Sequence, residues 1–372
     1  MILGIDPSTY FETLEAGARY YVDGKEVEPL SYLHDHNGVS VMRLRLWLDP
    51  FDEEGKPYGG GTVDYPMLLR VAKEGIAKGY KIMLDFHYSD FWCDPGKQFL
   101  PKAWRSLGFK EILSEVYRYT KITLESLQNE GIYPDSIQIG NEITNGMLWP
   151  LAKLTSKDGD PSSPREGYGN LIQVLRQGLK AARKVCPKSK LVIHLERSGD
   201  QRVYREFFDE MTKAKLDFDV IGISFYPYWH GTFQMVFDNV DALKERYHKP
   251  VWIVETSYGF TIAPGTNQDE DFKPLINEEF LSQDNVYAPY PITLEGQRDF
   301  TRELLRHAKE HGVGAVMWWE PFWLPLKGLC WATKEGERYT HETEKPTNNE
   351  WANQCLFDYD GNATPALFEF KV

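Results

Sequence analysis

Short apolar, β-prone runs alternate with longer amphipathic stretches along almost the whole chain. Eight such runs stand out, at Ile2–Asp6, Val39–Trp47, Lys81–Tyr88, Asp135–Glu142, Lys190–Glu196, Val220–Pro227, Val251–Thr256 and Val313–Glu320. They are too short and too rich in branched residues for helices, and their continuous apolar character suits strands buried on both faces. The segments between them carry helical spacing. Leu68, Val71, Ala72 and Ile76 share one face, as do Leu113, Val116, Tyr117, Thr120, Leu124 and Leu127, and again Leu171, Leu175, Leu179 and Ala182. Gly79 and Gly131 fall where helix C-caps are expected, just ahead of the next strand. Strand–helix alternation predicts a parallel sheet, and eight units predict its closure into a (β/α)8 TIM barrel. A doubly wound open sheet is the competing architecture, but no G-x-G-x-x-G follows any of the strands.

The irregular stretches are unevenly distributed. The long ones, 48–63, 88–105, 143–166, 257–294 and 321–360, follow strands, whereas helix-to-strand joints such as Gly79-Tyr80 are brief. Extra chain therefore gathers at the C-terminal ends of the strands, the face on which such barrels build active sites. No Gly-, Ser- or Pro-rich linker divides the chain, so residues 1–372 are expected to form one catalytic domain with enlarged βα loops.

Composition narrows the chemistry. An apolar fraction of 42% is ample for a large core, and a formal charge of -13 without a long acidic run disfavours a nucleic-acid partner. Aromatic residues reach 14%, including 11 Trp and 21 Tyr, a supply of flat apolar faces on which sugar rings can stack. Cys93, Cys186, Cys330 and Cys355 show no metal-binding spacing; one bridge, such as Cys330–Cys355, is compatible with their positions. No stretch approaches the roughly 18 apolar residues of a membrane span. Met1-Ile-Leu-Gly-Ile-Asp6 leads into a strand with no basic n-region, so no signal segment is visible.

The strand tips carry the chemistry. Ser136-Ile-Gln-Ile-Gly-Asn-Glu142 reads as a buried strand ending in Asn-Glu, and a carboxylate there is costly unless it is paired or reactive. A plainer reading makes Glu142 the N-terminal carboxylate of a following helical turn. The other tips add Arg43, Arg45 and Trp47, then Asp85, His87, Asp90 and Trp92, then Tyr226, Tyr228, Trp229 and His230, then Glu255, then Trp318, Trp319 and Glu320. Singly, Arg43 or Arg45 could be a core ion-pair partner, Asp85 could order the barrel interior, and His194 could be a satisfied core histidine. Together, carboxylates, imidazoles, guanidinium groups and indoles converge on one rim. Glu142 and Glu255, on the fourth and seventh strands, can face each other across a substrate. That is what acetal hydrolysis requires, with one carboxyl donating a proton and the other attacking or stabilising the oxocarbenium centre.

Several motifs resemble glycoside hydrolase family 53, the endo-β-1,4-galactanases of clan A. They are Arg43-Leu-Arg-Leu-Trp-Leu-Asp-Pro50, Leu84-Asp-Phe-His-Tyr-Ser-Asp-Phe-Trp92, Asp94-Pro-Gly-Lys-Gln98, Pro101-Lys-Ala-Trp104, Gln138-Ile-Gly-Asn-Glu-Ile-Thr144, Gly146-Met-Leu-Trp-Pro150, Tyr226-Pro-Tyr-Trp-His-Gly231 and Trp319-Glu-Pro321. The resemblance extends from Gly4 to about Leu367. It implies Glu142 as acid/base, Glu255 as nucleophile and net retention. It implies that Asn141 bonds the 2-hydroxyl of the sugar at subsite −1, that Arg45 keeps Glu255 ionised and that Tyr226 orients it. His87, Asp90 and His230 become candidates for sugar hydroxyls, and Trp92, Trp229 and Trp319 become stacking platforms, with packing the alternative for each indole. The implied substrate is β-1,4-galactan and its oligosaccharides. Such a polymer stays outside cells, so secretion or surface tethering is expected, and the protein is expected to act as a monomer without a required cofactor.

Two places depart from the family pattern. Cys93 replaces a small residue, and Ile262–Asp271 is acidic but lacks the Asp-Gly-Asp-Gly-His-type run of calcium-binding members, so a structural calcium is compatible but unsupported. Three other readings compete. His34-Asp-His36 could ligate zinc in a barrel amidohydrolase, although it precedes the second strand, at the wrong end of the barrel. A carbohydrate-binding barrel without catalysis would bind polymer and not cleave it. A clan A mannanase, xylanase or cellulase would be separated by the polymer that releases reducing ends.

Overall fold

The computed structural model describes residues 1–156, 158, 163–266, 271–341 and 349–371. Eight parallel strands close into a barrel: β1 (Ile2–Asp6), β2 (Val41–Leu46), β3 (Lys81–Phe86), β4 (Ser136–Ile139), β5 (Lys190–Leu195), β6 (Val220–Phe225), β7 (Val251–Thr256) and β8 (Ala315–Trp319). Closure is direct, since β1 pairs with β8 along its whole length and with β2 through Gly4 and Ile5. Helices α1 (Pro29–Asn37), α2 (Tyr65–Ala77), α3 (Phe109–Asn129), α4 (Tyr168–Val185), α5 (Gln201–Lys213), α6 (Phe233–Tyr247) and α7 (Leu294–Glu310) follow the first seven strands, and a short α8 (Pro365–Glu369) follows the last. No helix among the described residues is long and apolar enough to cross a membrane.

The local reasons match the pattern read from the sequence. Asp64 caps α2 by accepting from the Met67 N–H at 3.0 Å. Gly79 and Gly131 stand just past α2 and α3 with φ of 93° and 79°, conformations only glycine adopts without strain. Six of the eight strands end one to three residues earlier than the apolar runs, and the first and seventh end with them. Tyr88, Gly140, Glu142, Arg197 and Glu320, just past the strand ends, all have positive φ.

Inside the barrel the side chains fall in layers. Val41, Met83, Val192, Val220, Val254, Ala315 and Met317 fill one end of the interior. Each strand then continues two residues at a time towards its C-terminal tip, so Arg43 and Arg45 follow Val41, Asp85 and His87 follow Met83, and His194 and Glu196 follow Val192. Strand β7 breaks this rule. Its register against β6 shifts between Ile223 and Ser224, pairing Ser224 with Glu255, and the resulting bulge turns Glu255 inwards although Val254 already points there.

Cysteine and histidine expectations are settled in the same frame. All four cysteines are free, so Cys330 and Cys355 are not bridged. Cys355 instead donates to the Glu320 carbonyl at 3.1 Å. His34 and His36 lie on α1, one against Tyr80 and the other against Tyr32, at the end of the barrel away from the strand tips. Residues 267–270 of the acidic loop after β7 lie outside the described residues.

Candidate active site

A cavity of about 460 Å³ opens at the C-terminal mouth of the barrel, with Glu142 and Glu255 in its wall. Carboxylate oxygens of these two residues lie within 4.8 Å of one another. Glu142 does not act as a helix cap, because its side chain makes no capping bond to the short turn at Ile143–Asn145. Its φ of 49° costs roughly 1–3 kcal/mol and aims the carboxyl across the mouth.

Beneath the cavity lies one guanidinium that organises the rest. Arg43 is fully buried. Its Nε donates to Gln138 Oε1 at 3.2 Å. Nη1 reaches Asp6 Oδ2 at 2.7 Å and Glu255 Oε1 at 2.9 Å. Nη2 donates to Asp85 Oδ2 and to Asn141 Oδ1, both at 2.8 Å. The guanidinium thus makes four hydrogen bonds, to Gln138, Asp6, Asp85 and Asn141, and an ion pair with Glu255. The Tyr226 hydroxyl, held neutral by burial, donates to the other oxygen of Glu255 at 3.1 Å. Burial raises the Glu255 carboxyl, and Arg43 opposes that rise most strongly.

Glu142 has the opposite surroundings. Burial raises its carboxyl well above the usual range, and the charges of Glu255 and Glu196 push the same way. The hydrogen-bond chain beside it fits a protonated acid. Gln138 Nε2 spends its two N–H bonds on Asp85 Oδ1 (2.7 Å) and the Gly140 carbonyl (3.0 Å). Asn141 Oδ1, which accepts from Arg43, therefore takes the Nδ1–H of His194 at 3.0 Å. Burial and Arg43 keep that imidazole neutral, so its Nε2 accepts the Ser224 hydroxyl at 2.8 Å. Ser224 Oγ, 2.6 Å from Glu142 Oε1, is then left to accept a hydrogen bond from the protonated acid. His194 is a satisfied core histidine with a consequence for its neighbour.

The remaining candidates divide. Asn141 donates one Nδ2–H to the Cys93 carbonyl at 2.9 Å and keeps one for the cavity. His230 lines the cavity, accepts the Tyr226 N–H on Nδ1 at 3.1 Å, and has its imidazole pushed down to about 3 by burial. Trp229 lines the same wall with 43% of its surface exposed. Trp92 stacks on Trp331 at 4.2 Å, and Trp319 meets Trp351 edge-on at 4.5 Å.

One expectation needs correction and two are refined. The guanidinium touching Glu255 is Arg43. Arg45 instead pairs with Asp6 and Glu320 and lies over the Trp92 and Trp319 rings at 4.8 and 4.9 Å, acting on Glu255 only from further away. Asp90 is absent from the cavity lining. It accepts the Lys102 N–H at 2.6 Å and holds the loop after β3. His87 lines the cavity as expected; its Nδ1 accepts from Trp47 at 3.1 Å, and its Nε2, 3.0 Å from Asp85, makes no hydrogen bond among the described residues. Conversely, Glu196, Arg197, Trp331 and Trp351 line the cavity without having been singled out as site residues. Glu196 could have been found, since it continues the inward alternation of Val192 and His194. The two indoles lie in the irregular stretch after β8, where no periodicity marks them.

Glu142, His194 and Glu255 are close enough to share a metal ion. The donor set argues against it, because both His194 nitrogens are engaged and a guanidinium stands 2.9 Å from Glu255.

A barrel whose mouth opposes a proton-holding carboxyl to a guanidinium-bound one, under a ring of indoles, has the equipment to break an acetal, and it defines a glycoside hydrolase. The comparisons narrow the class. The family model described as Glycosyl hydrolase family 53 matches residues 2–370. An uncharacterised protein of Niallia circulans is 35% identical over 375 residues, covering 100% of this chain and 93% of its own. The arabinogalactan endo-beta-1,4-galactanase of Cellvibrio japonicus is 31% identical, covering 100% of this chain and 90% of its own. The solved Ignisphaera aggregans GH53 catalytic domain superposes with a TM-score of 0.84 at 37% identity, over 99% of this chain and 95% of that one. The chain belongs to glycosyl hydrolase family 53.

The geometry makes Arg43 indispensable. Arg43→Met should lower unfolding free energy in urea by about 3–5 kcal/mol, because Asp85 and Glu255 would lose the guanidinium they pair with and Asp6 would keep only Arg45. Arg43→Lys should restore only a small part of it, since one ammonium cannot reach five acceptors. A loss below about 1 kcal/mol for Arg43→Met would contradict this reading.

Proposed function

We propose that this hydrolase is an endo-acting, retaining β-1,4-galactanase that cuts galactan and type I arabinogalactan by double displacement. The observation carrying the mechanism is the closeness of the two carboxyls. Their oxygens lie within 4.8 Å, whereas an inverting pair needs roughly 6.5–9.5 Å to admit a water. Glu255 is the nucleophile, kept ionised by Arg43 and positioned by Tyr226. Glu142 is the acid, kept protonated by burial and by the charge of Glu255, and later the base that activates water once it has given up that proton. Asn141 uses its remaining N–H on the 2-hydroxyl of the sugar being attacked, and Trp319 lies beneath that sugar.

The choice of β-1,4-galactan follows the activity named for the Cellvibrio japonicus relative. The chemistry calls on side chains alone, so no cofactor enters any step. A polymeric substrate of this kind places the enzyme outside the cell, secreted or surface-tethered, and one chain holds every group the reaction uses.

Glu255→Ala should abolish release of reducing ends from galactan, and added azide should restore turnover as an α-galactosyl azide. Recovery of the β-azide would show that the stereochemistry is misassigned. Glu142→Ala should cost about 10²–10⁴-fold on galactan and far less on an aryl galactoside with a good leaving group. Wild-type activity should fall on the alkaline side as Glu142 loses its proton and on the acid side as Glu255 gains one. With the aryl substrate, Glu142→Ala should lose the alkaline limb and keep the acid one. An unchanged alkaline limb would assign the acid elsewhere.

A further inference from the structure

Glu196 exchanges no proton in the chemistry above, although its charge helps to push the Glu142 carboxyl up. It extends the inward face of β5 and lines the cavity, only 3% exposed. Neither carboxylate oxygen has a well-aligned hydrogen-bond partner among the described residues; burial pushes the carboxyl up to about 7, and the nearby Thr144 hydroxyl and its own N–H only partly oppose that rise. Its cation neighbour is Arg197, whose Nε stands 3.3 Å from Oε1 while 40% of the arginine side chain remains exposed. A buried carboxylate with open acceptors is costly to keep unless a ligand supplies the donors.

Its place in the mouth says which ligand. On the mechanism proposed above, Trp319, Asn141 and Glu255 hold the sugar under attack, using the tips of β8, β4 and β7. The tips of β5 and β6 form the remaining wall, with Glu196, Arg197, Trp229 and His230. These two loops are pinned to each other, the Gly199 N–H donating to the His230 carbonyl at 3.0 Å. The wall adjoins Glu142, whose acid proton goes to the departing oxygen, and the half-exposed Trp229 gives it an apolar face. A galactose departing through its O4 carries two free neighbouring hydroxyls, at C2 and C3, and a carboxylate with two open oxygens is suited to accept from such a pair.

We propose that Glu196 is the hydroxyl acceptor of the leaving-sugar subsite, taking the 2- and 3-hydroxyls of the departing galactose beside the indole face of Trp229. Glu196 is then a binding and specificity residue that touches substrate without exchanging a proton with it. The proposal rests on the galactanase reading, which the wild-type enzyme tests separately by cleaving β-1,4-galactotetraose.

The test compares Glu196→Gln with wild type on galactotetraose and on an aryl β-1,4-galactobioside, whose leaving group has no sugar hydroxyls. Glu196→Gln should lose on the order of 10–100-fold in kcat/KM on galactotetraose, the effect of a hydrogen bond to a charged group. It should stay within about twofold of wild type on the aryl substrate, which also shows that the variant is folded. A galacto-oligosaccharide lacking the 3-hydroxyl on its leaving sugar provides a second measurement that needs no variant. Wild type should lose activity on it, and Glu196→Gln should lose little more. Equal loss on both the sugar and aryl substrates would make Glu196 a structural group, and a loss on galactotetraose accompanied by a shifted alkaline limb would make it a group acting through Glu142; either result would overturn the assignment. Unchanged activity on galactotetraose, or wild-type indifference to the missing hydroxyl, would overturn it too.

Discussion

One buried guanidinium sets the terms for the whole mouth of this barrel. Arg43 donates to Gln138, Asp6, Asp85 and Asn141 and pairs with Glu255, partners drawn from four strands and their tips, β1, β3, β4 and β7. A lysine could offer charge but not that fork. Because the guanidinium is fully buried, its charge is poorly screened, and it holds the carboxylates it meets in place. The reactive pair is therefore asymmetric before substrate arrives: Glu255 touches the guanidinium and Glu142 does not.

That asymmetry sorts two chemically identical groups into two roles. Two carboxyls this close cannot both ionise freely, so one proton is shared unequally between them. Arg43 pairs with Glu255, and Tyr226 donates to it. The neutral His194, anchored on Asn141 and accepting from Ser224, leaves Glu142 a hydroxyl to donate to. Asn141 links the halves, since its Oδ1 meets both Arg43 and His194. The protein thus separates acid from nucleophile through environment alone.

Much of this was legible from residue patterning. The barrel follows from eight apolar runs and intervening helical spacing, and all eight strands lie within those runs. The chemistry followed from asking what stands at each strand tip, which isolates Glu142 and Glu255. Patterning failed where the backbone departs from its period. A bulge in β7 makes adjacent Val254 and Glu255 both face inwards, so alternation alone would have sent the glutamate out. Arg43 and Arg45 share one face two residues apart, and only packing shows which of them meets Glu255. Asp90 belongs to the apolar–polar tip of β3 in sequence, yet the chain turns at Tyr88 and carries it under a loop. Trp331 and Trp351 come from irregular chain, where position in space is set by tertiary contacts that no local pattern encodes.

The two close carboxyls, one attacking and one protonating, make a stereochemical demand that a single observation can meet. Proton NMR of galactotetraose hydrolysis, followed from the first turnovers, reports the anomer released before mutarotation mixes the two. Initial accumulation of the β-anomer is the result this account requires. Initial appearance of the α-anomer would mean that water, and not Glu255, attacks the sugar.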